Sequence, residues 1–293
     1  MSTATLSRMA PPKSPAARAV RQFFSNKLAV IGVVIVVALM IFSFIGPLVY
    51  QTEQVSTNLM QADLKPGENG HPLGTDGLGY DVLGRLMIAG RTSILVGLAA
   101  GVLATILGTL WGSVAGYMGG WIDATMMRIV DAGIAIPGIF LLLVISAIVR
   151  PSEWMMVLII GAVSWLVPAR LTRAEALSLK SRDYVLAIKA TGGSNARAIL
   201  RHIIPNTIGT VVVNATFQVA DAILLIAYVS FLGMGLQPPA TDWGAMLTDG
   251  ISSVYSGAWW LIFPAGIAIV LIVSAFNFIG DGLRDMFDVR GQS

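Results

Sequence analysis

The side chains best able to bind another molecule are concentrated in one basic segment, residues 170–205, of an otherwise apolar chain. This segment holds seven of the chain's 19 Lys and Arg residues. Within it, residues 183–200 are predicted to form short helices that are broken at Gly192-Gly193. Pro205 then begins the next apolar stretch, where a missing backbone N–H costs little. The arrangement predicts a rigid connector that lies across a surface and docks into a groove on another protein.

The predicted helices of the connector combine an apolar face with polar edges. The apolar positions are Val185, Ile188, Ala196, Ile199 and Leu200. The polar edges are formed by Lys189, Arg197 and Arg201. An ordinary basic loop, whose charge reflects only membrane sidedness, is the alternative. The length, the helical pattern and the internal Gly pair favour a docking element.

Motifs for catalysis and for metal binding are absent from the sequence. It contains no phosphate-binding loop of the form G-x-x-x-x-G-K-[ST], no G-x-S-x-G nucleophile turn and no histidine–carboxylate metal motif. There is no cysteine, and His71 and His202 lie far apart. We therefore predict no catalytic residue, no metal site and no cofactor in this chain. If the protein moves a solute uphill, the energy must enter through a partner.

Composition indicates a polytopic all-α membrane protein. Of the 293 residues, 55% are hydrophobic and only 12% are charged, and the mean hydropathy is +0.76. Apolar runs of about 20 residues recur, which is the length of helix that crosses about 30 Å of hydrocarbon. About six transmembrane helices are predicted, at residues 28–50, 92–117, 124–149, 154–178, 207–232 and 258–280.

Lys and Arg are distributed unequally between the two sides that six spans define. The N-terminal segment, the turn after the second span, the basic segment and the tail hold fifteen, and the opposite side holds four. Basic residues are retained on the cytoplasmic side. Both termini and the basic segment are therefore predicted to be cytoplasmic, with residues 51–90 outside. The same bias accounts for the pI near 9.3, so nucleic acid is not an expected partner.

Three regions are predicted along the chain. Residues 1–27 form a basic cytoplasmic segment, within which residues 16–24 fit a short amphipathic helix at the membrane interface. Residues 28–90 contain the first transmembrane helix and an extracytoplasmic loop. Residues 91–293 form the transmembrane core, with a cytoplasmic coupling region at 179–206.

Small residues in the second span and a proline in the third have structural consequences. Glycines spaced by four let another helix approach closely. These are Gly97 and Gly101, followed by Gly108, Gly112 and Gly116. Pro137 removes a backbone hydrogen bond and is predicted to kink the third span.

Two acidic residues, Asp131 and Asp221, fall within apolar spans, where a charge is costly and needs a cavity or a polar partner. Asp131 is predicted to lie near the cytoplasmic surface in a local ion pair with Arg128, and lining a substrate path is the alternative. Asp221 shares a helical face with Asn214 and Gln218. These three residues are predicted either to line a substrate path as a polar stripe or to bind a partner subunit.

The spacing within the connector resembles that of permease subunits of ATP-binding-cassette importers. Their signature is E-A-A, three residues, Gly, nine residues and I-x-L-P. Gly192 and Pro205 stand at the required spacing, whereas the E-A-A and I-x-L positions are degenerate. On this resemblance the ATPase-coupling surface comprises Ala187, Lys189, Ala190, Gly192, Ser194, Arg197, Arg201 and Pro205.

Four further segments resemble the second, C-type permease of the dipeptide/oligopeptide/nickel subfamily. They are 71–85 (HPLGTDGLGYDVLGR), 115–137 (beginning AGYMGGWID), 230–247 (beginning SFLGMGLQPP) and 277–285 (NFIGDGLRD). Three positions depart from the pattern. Tyr80 stands where the subfamily commonly has Arg, Val289 where it commonly has Pro, and Ile226 where it usually has Glu.

The resemblance implies a type I ABC importer permease fold that supplies half of a channel. A homologous B-type permease would complete the pathway, and two ATPase subunits would bind ATP and Mg and dock on the connectors. An extracytoplasmic binding protein would deliver the substrate at a prokaryotic inner membrane. Di- or oligopeptides are the expected substrates, with nickel chelates or oligosaccharides as the alternative.

Two other functional classes make different demands on the sequence. An ion-gradient secondary transporter predicts paired membrane-embedded ion ligands and internal repeats, which are not found here. A membrane anchor or receptor without transport would not need the connector with its Gly-to-Pro spacing. The sequence therefore favours a transport subunit.

Overall fold

The computed structural model describes residues 15–149 and 151–288, and within these ranges the secondary structure is helical, without a β-strand. Helices predominate because a backbone in hydrocarbon must satisfy its own N–H and C=O groups. The α-helices are α1 (Pro15–Ser25), α2 (Lys27–Phe44), α3 (Gly46–Val49), α4 (Val82–Met118), α5 (Gly120–Ala135), α6 (Gly138–Ile148), α7 (Glu153–Ser164), α8 (Leu166–Lys180), α9 (Asp183–Ala190), α10 (Asn195–Ala198), α11 (Ile204–Phe231), α12 (Trp243–Ile251) and α13 (Phe263–Asp288).

The lengths of these helices agree with six membrane spans. Four spans are single helical stretches, namely Lys27–Val49, Val82–Met118, Asn195–Phe231 and Trp259–Phe287. The other two are bent pairs, α5 with α6 and α7 with α8. The prediction of an all-α polytopic membrane protein with about six transmembrane helices is confirmed.

Helix α4 is the central element and begins ten residues earlier than the sequence predicted for the second span. Asp81 caps it, because its Oδ1 accepts a hydrogen bond from the Gly84 N–H at 2.7 Å. The irregular part of the 51–90 segment therefore ends at residue 81, and residues 82–90 already belong to α4. With 37 residues, α4 is about 55 Å long, more than a hydrocarbon core requires.

The glycines of α4 pack against two different helices, as the spacing of small residues predicted. Gly97 and Gly101 face α11, where a Cβ on Gly101 would lie 2.9 Å from the Val219 Cα. Gly108, Gly112 and Gly116 face α8, where a Cβ on Gly116 would lie 2.7 Å from a backbone carbonyl oxygen. The missing side chains therefore let α8 and α11 lie backbone to backbone against α4.

Two of the six spans are broken, and both breaks adjoin α11. Helices α5 and α6 meet at 79° around Ile136 and Pro137, so the predicted kink at Pro137 is confirmed. Helices α7 and α8 meet at 45° at Trp165. The sequence predicted a fourth span at residues 154–178 with Pro168 inside it. In the structure Pro168 lies in the first turn of α8, a position where proline is tolerated.

The ends of the described chain lie together. The Asn26 side chain caps α2 and also donates from Nδ2 to the Asp285 carboxylate of α13 at 3.0 Å. The same end of α13 also contacts α11, where a Cβ on Gly209 would lie 3.1 Å from the ring of Phe287. The predicted helix at 16–24 is observed as α1, which packs against α13. Both ends therefore lie on the same side as the start of α11.

The fifth span starts earlier than predicted. A π-helical turn, Ile199–Ile203, joins α10 directly to α11, so that one helical stretch runs from Asn195 to Phe231. Pro205 therefore lies within this stretch instead of starting it. Proline cannot donate a backbone hydrogen bond and would clash with the carbonyl four residues earlier. The wide π turn immediately before Pro205 accommodates both effects.

Candidate functional site

The connector between α8 and α11 has a defined conformation at its glycines. Helix α9 ends in a Schellman motif, because the Gly193 N–H donates to the Ile188 carbonyl at 2.8 Å and the Gly192 N–H donates to the Lys189 carbonyl at 3.1 Å. Gly192 has φ +78°, a conformation that side chains disfavour. The Ser194 hydroxyl then caps α10. The predicted break between two short helices is confirmed.

The eight residues assigned to the coupling surface by resemblance are all exposed. They are Ala187, Lys189, Ala190, Gly192, Ser194, Arg197, Arg201 and Pro205. The connector is held to the rest of the protein by other side chains, which are buried against α4 and α8. These are Val185, Ala198, Ile199 and Ile203, packed around Tyr117 and Ala176. The connector thus presents one face outward while its other face is fixed.

This packing corrects the predicted use of the apolar face. Val185 and Ile199 are buried against the chain's own helices, so they are not available to a groove on another protein. Leu200 is 61% exposed, and Leu186 next to Ala187 is 50% exposed. The exposed docking surface therefore combines these two leucines with basic side chains. The sequence pattern identified an amphipathic element but assigned its apolar face to the wrong neighbour.

Of the seven basic residues in the segment 170–205, two on α8 bind acids of α5. Arg173 pairs with Asp123, and Arg170 pairs with Asp131. The partner of Asp131 among the described residues is therefore Arg170, and the predicted pair with Arg128 is wrong. Residue 131 faces α8 across a helix contact, which sequence spacing along α5 cannot reveal. These pairs join α5 to α8 beside the connector.

A cleft of about 370 Å³ opens where both helix breaks face α11. It is lined by Ile136, Pro137 and Gly138 from one break and by Ser164, Leu166 and Val167 from the other. Helix α11 contributes Gln218, Asp221 and Tyr228. The cleft is mainly apolar, and Asp221 is its exposed acidic side chain. A cationic or zwitterionic solute would find a counter-charge there.

The three residues of the predicted polar stripe do not share one cleft. Gln218 is buried, and its Nε2 donates to the Ser164 carbonyl at 2.6 Å. That carbonyl lies at the end of α7, so Gln218 satisfies a backbone group that the helix break leaves free. Asn214 lines a separate cleft of about 220 Å³ together with Phe217 and Arg284. The structure therefore brings Gln218 and Asp221 together and places Asn214 elsewhere.

The positions that depart from the subfamily pattern have structural roles where they are described. Ile226 is fully buried in the apolar core between α4, α7 and α11. The Tyr80 side chain is buried, and its hydroxyl donates to the Val55 carbonyl at 3.1 Å. Val289 lies outside the described residues. Apolar packing thus occupies the position where a carboxylate is usual, and Asp221 lies five residues earlier on α11.

Comparison with known families agrees with this architecture. The family described as "binding-protein-dependent transport system inner membrane component" matches residues 108–291. This match begins within α4 and includes the connector and the cleft. A second family, the "N-terminal TM domain of oligopeptide transport permease C", matches residues 14–66.

Curated relatives align along nearly the whole chain. The oligopeptide transport system permease protein OppC of Salmonella typhimurium is 42% identical over 271 residues, covering 92% of this chain and 89% of the relative. OppC of Escherichia coli K12 is 41% identical with the same coverage, and OppC of Bacillus subtilis is 37% identical over 272 residues, covering 93% and 88%. This chain therefore belongs to the family of binding-protein-dependent transport system inner membrane components.

Proposed function

We propose that this chain is the C-type permease subunit of an ATP-driven importer and forms half of the pathway by which di- and oligopeptides cross the membrane. The observation that supports this most directly is the connector. Its buried face is fixed to α4 and α8, and the eight residues expected to bind an ATPase are all exposed. Relatives of 37–42% identity are named as oligopeptide permeases.

The proposed assembly contains several subunits besides this chain. A homologous B-type permease completes the pathway, and two ATPase subunits bind the connectors and supply the ATP and Mg sites. A binding protein delivers peptide from outside. The complex lies in a prokaryotic inner membrane with both termini cytoplasmic, as the excess of basic residues near the connector favours. This chain contributes no catalytic residue, so the energy of hydrolysis reaches the pathway through the connector.

In this proposal Asp221 faces the peptide as it passes the cleft beside the two helix breaks. A peptide carries an ammonium group, and a carboxylate in a mainly apolar cleft attracts it. Gln218 holds the α7–α8 break in place through the Ser164 carbonyl. Asn214 lines the separate cleft, which adjoins α13. Movement of α5 and α8 relative to α11 would open and close the path when the ATPases pull on the connector.

The test is transport by the reconstituted assembly. The tagged chain is co-purified with its partners, placed in proteoliposomes with the binding protein, and supplied with ATP and labelled di- and tripeptides. ATP-dependent peptide uptake is expected, insensitive to ionophores that dissipate ion gradients. Uptake of a nickel chelate or an oligosaccharide in place of peptide would contradict the substrate. Uptake driven by an ion gradient without ATP would contradict the whole assignment.

A further inference from the structure

A second cavity, of about 390 Å³, lies at the end of α4 opposite the connector. The connector packs around Tyr117 near the end of α4, whereas this cavity is next to the first turn of that helix. Its polar lining is formed by Asp76, Arg85, Thr248, Asp249 and Ser252. The volume is within the range of small-molecule sites. The cavity is thus separated from the coupling surface by most of the length of α4.

Arg85 is a buried cation with unused hydrogen-bond donors at this cavity. The residue is only 4% exposed, and its guanidinium lies 4.4 Å from the centre of the Tyr80 ring. Nε is 3.8 Å from an Asp76 oxygen, which is too far for a hydrogen bond. Counting all residues that the structure describes, Nε and Nη1 are buried without a hydrogen-bond partner. A buried charge in this condition is costly unless something else binds it.

The two carboxylates at the cavity differ in how far they are already satisfied. Asp76 Oδ1 accepts hydrogen bonds from the N–H groups of Leu78 and Tyr80, at 3.0 and 2.9 Å. The Asp249 carboxylate is exposed at the opening and accepts no hydrogen bond from the part of the chain that is described. The cavity therefore holds one cation and one carboxylate that both lack a strong partner.

We propose that this cavity binds a free zwitterionic peptide, with Arg85 holding the carboxylate group and Asp249 holding the ammonium group. A guanidinium matches a carboxylate through parallel N–H donors. A single side chain of a docked protein would satisfy only one of the two charges, whereas a zwitterion satisfies both. The inference rests on the proposed function and adds a site at which the permease itself binds peptide outside the α11 cleft.

The test is a binding experiment with chemically blocked peptides. The complex that co-purifies with the tagged chain is placed in nanodiscs without the binding protein, which would bind peptide itself. Affinities are measured for the dipeptide Ala-Ala and for its N-acetyl and C-amide forms. Arg85→Gln is expected to weaken binding of Ala-Ala by roughly 10- to 100-fold, since hydrogen bonds to charged groups contribute about 1.5–3 kcal/mol. Asp249→Asn is expected to weaken it by a smaller factor, because Asp249 is exposed.

The blocked peptides assign each charge to its partner. Arg85→Gln should have no further effect on the C-amide peptide, and Asp249→Asn should have no further effect on the N-acetyl peptide. Arg91→Gln is the matched control, because Arg91 is an exposed cation on the same helix that does not line the cavity. Arg85→Lys keeps the charge. Comparing its assembly with that of Arg85→Gln by size exclusion shows whether loss of the charge alone disrupts folding.

Three results would overturn the inference. The first is wild-type binding that is equally tight for a peptide blocked at both ends. The second is loss of binding in Arg85→Gln that does not depend on the free carboxylate. The third is that Arg85→Gln weakens docking of the binding protein while the complex without that protein binds no peptide. This result would assign the cavity to a side chain of the docked protein. If wild-type proteoliposomes take up peptide while any of these holds, only this inference fails. If they take up none, the proposed function fails.

Discussion

Arg173 and Asp123 form a two-bond ion pair that joins α8 to α5. Nε and Nη2 of Arg173 donate to the two carboxylate oxygens of Asp123, at 2.6 and 2.7 Å. The Asp123 side chain is 12% exposed and the Arg173 side chain 36%. Two parallel bonds define the distance and the angle between the helices more closely than one contact does. The pair therefore fixes the start of α5 against α8 next to the connector.

Replacement of Arg173 by Met should destabilise the chain by about 1–2 kcal/mol, a value reduced for the partial exposure of the guanidinium. Arg170→Met is the matched control, because Arg170 and Asp131 are each about half exposed. That pair should contribute about 0–1 kcal/mol. Thermal unfolding of the purified chain in detergent measures both. Equal effects of the two substitutions would contradict the structural role of the Asp123 pair.

Gly192→Val should uncouple ATP hydrolysis from transport while the complex still assembles. The turn places Gly192 at φ +78°, and a β-branched side chain is strained there although the space around it is open. Gly192→Asn is the control, because Asn tolerates this conformation. ATPase activity and peptide uptake are measured together in proteoliposomes. Normal uptake by the Val variant would refute the connector's role in coupling.

Asp221→Asn should reduce peptide uptake several-fold and leave assembly unchanged. The substitution keeps the size of an exposed side chain in the α11 cleft and removes only its charge. Gln218→Leu is the contrasting variant, because it removes the hydrogen bond to the Ser164 carbonyl. That variant should lower the free energy of unfolding by about 1–3 kcal/mol, because the Ser164 carbonyl loses its hydrogen-bond partner. Unchanged uptake, or loss of the complex, in Asp221→Asn would exclude a pathway role for this carboxylate.

Asp242 should make the stability of the chain dependent on pH. It is fully buried at the start of α12, where it accepts hydrogen bonds from the Gly244 N–H at 2.8 Å and the Ser230 hydroxyl at 2.6 Å. Burial raises its pKa from 3.8 to about 6. The folded state therefore binds a proton more readily than the unfolded state, so stability rises as the pH falls through 6 and levels off below 3.8.

Comparison with Asp242→Asn isolates this group from other titrations. The stability difference between the wild-type chain and the Asn variant should shift by roughly 1 kcal/mol in favour of the wild type between pH 7 and pH 5. Melting temperatures in detergent at several pH values measure it. A difference that stays constant, or that moves in the opposite direction, would show that the buried carboxyl does not take up the proton.

Cysteine labelling should establish which side of the membrane the connector faces. The native chain has no cysteine, so single substitutions are read without background. Met60→Cys, at a position 96% exposed in the outward segment, should react with an impermeant reagent in sealed cells. Ser194→Cys should react only after permeabilisation. Labelling of position 194 from outside sealed cells would contradict the topology.

The sequence by itself determined the class of the protein and the place of its connector. Apolar runs long enough to cross hydrocarbon specify helical spans, because no other open backbone structure is stable there. The break at Gly192-Gly193 was equally evident, because a Schellman turn with positive φ selects glycine from local chemistry alone. The close packing of α4 was also predictable, since glycines spaced by four lie on one face of a helix.

Only the tertiary structure decided which side chains meet. The pairing of Asp123 with Arg173, 50 positions apart, leaves no local signal. Gln218 looked like a pathway residue, but it is bound to a carbonyl that is free only because α7 ends at Ser164. Arg85 was predicted to lie in a polar loop, yet it is buried beside a cavity. Local sequence limits the conformation of each helix, whereas contacts between helices depend on how all of them pack together.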